Sequence, residues 1–214
     1  MIDPRKVTKF DRTKEELEEF LLFAIVVAGK GAFQQAAKLE AFLSQRQKSE
    51  DGACFVQSPF EYITDLDWKP GRLVERLREV KMGQYDRVST AFRGVAHLFP
   101  YPLFKTDISM LECIKGIGMK TARFFAMHTR PNVEYACLDT HILRWLSGLG
   151  YADVPKSTPR GEKYLQLESI FLQHARHLGK TPSELDLEIW NSQHVENSSK
   201  KNLTAAYTSA IVAA

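Results

Sequence analysis

The sequence predicts an all-α protein, and three observations carry that reading. Apolar residues recur at three- and four-residue spacing along most of the chain. Helix-start signals are frequent, as in Thr13-Lys14-Glu15-Glu16 and Ser58-Pro59-Phe60-Glu61. Strand-like alternation is scarce. Together they predict roughly ten helices.

The first helix begins at the Thr13 capping box, with Leu17, Phe20, Leu21 and Ala24 at helical spacing. Its second half is apolar all round, which predicts burial on most sides. Gly29-Lys30-Gly31 stops it, and a second helix runs from about Ala32 to Ser44. The polar stretch Gln45 to Gln57 is a surface loop, after which Ser58 caps a helix that ends before Pro70-Gly71. A helix from Arg72 to Lys81 places Leu73, Leu77 and Val80 on one side. The next, Tyr85 to Phe99, aligns Val88, Ala91, Phe92, Val95 and Phe99 and stops at Pro100 and Pro102. Thr106 or Asp107 caps a short helix to about Ile114. The turn Lys115-Gly116-Ile117-Gly118 leads into a helix from Met119 to about Thr129, and another follows Asp139 with Ile142, Trp145, Leu146 and Leu149 in register. A long helix starts at Thr158-Pro159 and ends at Gly179; Thr181-Pro182-Ser183-Glu184 starts one more, and Leu203, Tyr207 and Ile211 suggest a tail helix.

Composition narrows the class. The chain has 214 residues, 44% hydrophobic and 26% charged, with 29 Lys+Arg against 26 Asp+Glu. These values exclude wholesale disorder and a disulfide scaffold. The net charge of +3 is compatible with a nucleic-acid partner and does not demand one. Cys54, Cys113 and Cys137 form no CxxC, which argues against a zinc ribbon or a four-thiolate iron–sulfur cluster and for a reducing compartment, cytoplasmic or nucleoid-associated. The densest apolar stretch, Phe20 to Ala28, is too short to cross a bilayer, and the acidic run before it is unlike a signal peptide.

The chemistry concentrates in Leu111 to Ala122 and Leu138 to Ile142. Two helices joined by Gly116-Ile117-Gly118 allow a sharp turn and close backbone approach. The second helix offers free N–H groups and the positive end of its dipole to a phosphate. The plain alternative is an αα-hairpin whose glycines only make the turn. Lys120 lies in the first turn of that helix, where the dipole opposes a cation and favours the neutral, nucleophilic amine. Asp139 is an N-cap. A capping carboxylate is held ionised and fixed in direction, ready to stabilise positive charge on a sugar or act as a base. The short return loop Arg130-Pro131-Asn132 predicts that the helix after Asp139 folds back beside the hairpin.

Ile114-Lys115-Gly116-Ile117-Gly118-Met119-Lys120-Thr121-Ala122, followed by Leu138-Asp139-Thr140-His141-Ile142, resembles the helix-hairpin-helix DNA glycosylase superfamily, which includes endonuclease III and the 8-oxoguanine DNA glycosylases. The motif pair spans about Leu111 to Gly150, and the rest fits more loosely. The resemblance implies two helical domains with an active-site cleft between them: residues 1–31 with 131–214, and residues 32–130 ending in the hairpin. It implies a monomer, no membrane association, and duplex DNA bearing a modified base as partner, the base flipped into the cleft. Lys120 would attack the sugar C1′ and form a Schiff base that breaks the strand. Asp139 would stabilise the oxocarbenium-like transition state. Lys115, Gly116, Gly118 and Met119 would contact DNA, and His141 would reach DNA or cap its helix. No cofactor is implied beyond a monovalent cation that the family hairpin can hold.

The sequence also departs from that pattern. Lys115 stands where the family usually has proline, and the iron–sulfur loop of endonuclease III is absent, which favours an 8-oxoguanine-like or divergent branch. The alternative is a phage-type hypermodification enzyme on the same scaffold, transferring an amino acid or amine onto pyrophosphorylated 5-hydroxymethyluracil. The third is a non-catalytic DNA-binding module. Lys30, Phe33 and Gln34 receive no role. His174 and His177 form a polar helix face rather than a metal pair, and His128 is read as surface. The basic series Lys69, Arg72, Arg76, Arg78, Lys81, Arg87 and Arg93 is read as a solvated face, and Phe20, Phe23, Phe33, Phe92, Phe124 and Phe125 as core.

Overall fold

The computed structural model describes residues 2–46, 57–97 and 102–195. Most of the Gln45 to Gln57 loop, with Cys54, lies outside the described residues, as do Phe99, Pro100 and the tail helix. Every regular element among the described residues is helical. The chain divides into two compact units, 1–130 and 131–214.

The first unit holds α1 (Lys14–Val26), α2 (Ala32–Leu43), α3 (Pro59–Trp68), α4 (Arg72–Glu79), α5 (Tyr85–Ala96), a 3-10 turn (Leu103–Lys105), α6 (Ile108–Glu112) and α7 (Met119–Thr129). Both expected capping boxes form, at Thr13 and Ser58, and Asp107 rather than Thr106 caps α6. Phe20 through Val26 are all buried, as an all-round apolar segment requires, with α7, α2, α3 and α5 packed around α1. The grouping expected from the resemblance joined residues 1–31 to 131–214; grouping by contact puts α1 in the first unit.

Several polar side chains are used inside this unit. Glu18 is 1% exposed, and its Oε2 accepts the Phe60 N–H at 3.0 Å, so α1 caps α3. Burial pushes its carboxyl above the usual carboxylate range. The expected solvated basic face is corrected at three positions. Arg76 is buried and donates to the carbonyls of Ala41 and Phe42 at the end of α2. Arg87 donates to two carbonyls described below. Arg93 pairs with Asp67 at 2.6 Å. Each guanidinium finds acceptors far away in sequence, which local charge patterning does not reveal.

His128 is corrected from surface to core. It is fully buried, and its Nδ1 meets Thr8 Oγ1 at 2.7 Å because the N-terminal arm crosses the end of α7. Arg12 clamps that arm, donating to the His128 carbonyl at 2.9 Å with its guanidinium 4.1 Å from the Phe20 ring centroid. Burial lowers the Arg12 pKa to about 10. Phe33 is not core: it is 44% exposed under Arg5.

The second unit holds α8 (Thr140–Gly148), α9 (Gly161–His177) and α10 (Pro182–Val195). Ile142, Leu143, Trp145 and Leu146 form the buried face of α8, with Trp145 edge-on to Phe171 of α9. Helix α9 starts three residues later than Thr158 because the Thr158 hydroxyl donates to the Leu138 carbonyl at 2.9 Å instead of capping a helix. His174 is buried against Trp145, and its Nε2 meets the Tyr151 hydroxyl at 2.8 Å. No cluster of three metal-ligating side chains occurs among the described residues.

Candidate active site

The residues expected to act lie in different units, Lys120 in the first and Asp139 in the second, and each is placed by its own local chemistry. The hairpin is α6, the turn Cys113 to Gly118, and α7. Gly116 has φ +99°, and a Cβ there would lie 2.9 Å from the Arg87 carbonyl and 3.0 Å from the Ala91 Cβ. Glycine is therefore required twice over, by backbone conformation and by space. Ile117 is buried beneath the turn, and its N–H closes it onto the Ile114 carbonyl at 2.9 Å.

Arg87 completes the seating of the turn. Its Nη1 donates to the Gly116 carbonyl at 3.1 Å and its Nη2 to the Ile25 carbonyl at 2.9 Å, and burial lowers its pKa. Its Nε is occupied by Gln84 Oε1 at 2.7 Å. Lys30 donates to the Met82 carbonyl at 2.7 Å, tying the Gly29–Gly31 loop to the same corner. A third tie, the Glu112–Arg123 ion pair, joins α6 to α7.

Gly118 is the N-cap of α7, with no side-chain cap and open space where a Cβ would go. The first N–H groups of a helix lack intrahelical partners and carry the positive end of its dipole. An anion with a close-approaching oxygen suits this end. Lys115 and Gly118 are exposed here, and Gly116, Met119 and Lys120 are half-buried. Among the described residues the Lys120 amine makes no hydrogen bond or ion pair. Cys113 is exposed in the same turn.

Asp139 caps α8. Its Oδ1 accepts from the N–H groups of His141 at 2.8 Å and Ile142 at 3.0 Å. Among the described residues its Oδ2 accepts nothing, so one oxygen orients the group while the other remains available. The carboxylate is half-buried. His141 is turned to α10: its Nδ1 donates to Gln193 Oε1 at 2.6 Å, and Gln193 Nε2 donates to the His141 carbonyl at 3.2 Å.

The chain before Asp139 has no regular secondary structure and is buried at Ala136, Cys137 and Leu138. Glu168 and Tyr164, one helical turn apart on α9, bond to it. Glu168 Oε1 accepts the Ala136 N–H at 2.8 Å. The Tyr164 hydroxyl donates to the Ala136 carbonyl at 2.6 Å and accepts the Leu138 N–H at 3.2 Å. Sequence reasoning passed over Arg87, Tyr164 and Glu168. The i, i+4 spacing of the last two was visible, but their backbone partners were not.

No protein-family model matches the chain. An 8-oxoguanine DNA glycosylase/AP lyase of Thermoplasma volcanium is 30% identical over 190 residues, covering 85% of this chain and 82% of that one. One of Methanocaldococcus jannaschii is 43% identical over 82 residues, covering 38% of this chain and 39% of that one. Among solved structures, the 8-oxoguanine DNA glycosylase of Thermotoga maritima superposes with a TM-score of 0.60 at 25% identity, over 84% of this chain and 80% of that chain. The M. jannaschii 8-oxoguanine glycosylase/lyase, in complex with a 15mer DNA containing 8-oxoguanine, gives a TM-score of 0.63 at 22% identity, over 90% of this chain and 89% of that chain. The all-α architecture described above is the fold of these proteins.

Proposed function

From the premise that this chain belongs to the 8-oxoguanine DNA glycosylase/AP lyase family, we propose that it excises 8-oxoguanine from duplex DNA and then cleaves the strand, with Lys120 as nucleophile and Asp139 as the charged partner. The observation that carries this reading is a lysine in the first turn of α7, at a helix N-terminus with no side-chain cap, in a chain matched over 190 residues to a glycosylase/AP lyase.

The chemistry divides between the two halves. The target nucleotide is extruded and its flanking phosphate accepts N–H bonds at the start of α7, a contact that positions without reading sequence. Lys115, Gly116, Gly118 and Met119 surround that contact, and His141 lies beside Asp139 in sequence. The Asp139 carboxylate stabilises positive charge as the bond from C1′ to the base nitrogen lengthens. The Lys120 amine forms a bond to C1′ and gives up a proton to a carboxylate, the part proposed for Asp139, while the damaged base leaves with the bonding electron pair and takes up a proton. The sugar ring opens to give a Schiff base. Loss of a proton from C2′ then expels the 3′ phosphate, breaking the strand without water or an oxidant.

The cation that the resemblance allows at the hairpin does not suit the Gly116 carbonyl, which already accepts from the Arg87 guanidinium.

Borohydride trapping on a duplex with a single 8-oxoguanine tests the reading. A covalent protein–DNA adduct, absent in Lys120→Ala, is the expected result. Intact strands carrying a mass change on a base would replace excision with base modification, and DNA binding with neither product would leave a binding module.

A further inference from the structure

We propose that Tyr164, Glu168 and Thr158 are positioning residues that set the direction of the Asp139 carboxylate; the proposal rests on the reading in which Asp139 acts on the sugar. A buried segment outside any helix or strand must still place every backbone N–H and C=O, and it has no ladder or helical turn to supply the partners. No strand is present among the described residues. Side chains replace it. Glu168 takes the Ala136 N–H, Tyr164 takes the Ala136 carbonyl and the Leu138 N–H, and Thr158 takes the Leu138 carbonyl. Both backbone groups of Ala136 and both of Leu138 are thus held by one helix and the loop before it.

The next bond in the chain is the one that matters. The Asp139 N–H donates to the Cys137 carbonyl at 2.6 Å, a tight turn that leaves little freedom between the anchored segment and the carboxylate. On its other side Asp139 caps α8. A cap alone fixes the carboxylate to its own helix; the anchored segment fixes where that helix begins. Glu168 and Tyr164 are both buried, and a buried carboxylate is retained only where its bonds are well made. Hydrophobic residues would fill the same space but could not hold the peptide groups in place.

The experiment measures single-turnover base release from a duplex containing one 8-oxoguanine, together with DNA affinity and the active fraction from burst amplitude. Tyr164→Phe is expected to slow release about tenfold to a hundredfold per active molecule, since a misplacement near 1 Å has that effect. Affinity for the duplex stays within about twofold, because no phosphate contact changes. Glu168→Gln, which keeps an acceptor oxygen, is expected to retain most of the rate that Glu168→Ala loses, and this pair carries the test if Tyr164→Phe fails to fold. A wild-type rate constant in Tyr164→Phe, or a loss only of active fraction, overturns the positioning role while Asp139→Asn is still slow. Inert wild-type protein, or Asp139→Asn as fast as wild type, overturns the functional reading and this proposal with it.

Discussion

The hairpin and the segment before α8 present their functional groups in opposite ways. At the hairpin the backbone is seated tightly, with Gly116 pressed on α5 and Arg87 holding its carbonyl, while the Lys120 amine bonds to nothing among the described residues. Before α8 the functional group itself is held, with Asp139 bonded to two N–H groups and the chain behind it bound at four backbone positions. The difference fits the two roles proposed for Lys120 and Asp139. A nucleophile has to travel to form a bond and afterwards remain attached through a moving sugar. A carboxylate that stabilises charge has to be in place beforehand, because reorganisation at the moment of reaction adds to the barrier.

The largest test of that contrast is Lys120→Ala. Strand cleavage is expected to fall by on the order of 10³-fold or more, with the borohydride adduct lost. Stability is expected to stay within about 0.5 kcal/mol, since the amine bonds to nothing among the described residues. A marked loss of stability would show that the lysine is structural.

Asp139 separates capping from chemistry. Asp139→Ala removes both and is expected to cost about 1 kcal/mol of stability, read from the denaturant midpoint. Asp139→Ser keeps an oxygen for the His141 and Ile142 N–H groups and restores much of that stability. Base release is expected to fall about 10²–10⁴-fold in both. Recovery of activity in the serine variant would show that the cap alone matters.

The two glycines separate seating from access. Gly116→Ala is expected to destabilise by about 1–3 kcal/mol, through its positive φ and the overlap with Arg87. Gly118→Ala meets open space and is expected to leave the unfolding midpoint nearly unchanged while weakening duplex binding, measured across a salt series. Equal affinity for DNA in Gly118→Ala and wild type would remove the phosphate from this end of α7.

The smallest effect concerns His174 in the carboxylate-bearing unit, where burial, with a contribution from His177, lowers the imidazole pKa. A lowered folded value means that the unfolded chain binds the proton more readily. The contribution to stability is therefore complete above the ordinary imidazole value of about 6.5, and is lost as pH falls through the lower folded value. Thermal midpoints of wild type and His174→Phe, compared between about pH 7.5 and about pH 5, are expected to converge on acidification.

Much of this architecture was legible in the chain because its signals are local. Thr13, Ser58, Asp107 and Asp139 cap helices at the positions their sequence context indicates, and the apolar second half of α1 is buried as its pattern requires. The misreadings share a cause. Arg76, Arg87 and His128 are polar residues whose partners lie 34, 29 and 120 positions away. Thr158 looked like a helix cap because its context was right, yet its hydroxyl serves Leu138. Of the candidate site, the types and spacing of Lys120 and Asp139 were readable. The side chains that bond to the hairpin turn and to the segment before Asp139 were not, since they act on main-chain atoms, which every residue shares.

Helix α5 carries one further contact with a consequence for how this chain can vary. A Cβ at Gly94 would overlap Ile114 Cγ2 at the entrance to the hairpin. These two positions share a single volume, so neither can grow unless the other shrinks. Among descendants of this sequence an alanine at 94 should arrive together with a smaller residue at 114, leaving a record of the packing as paired substitutions.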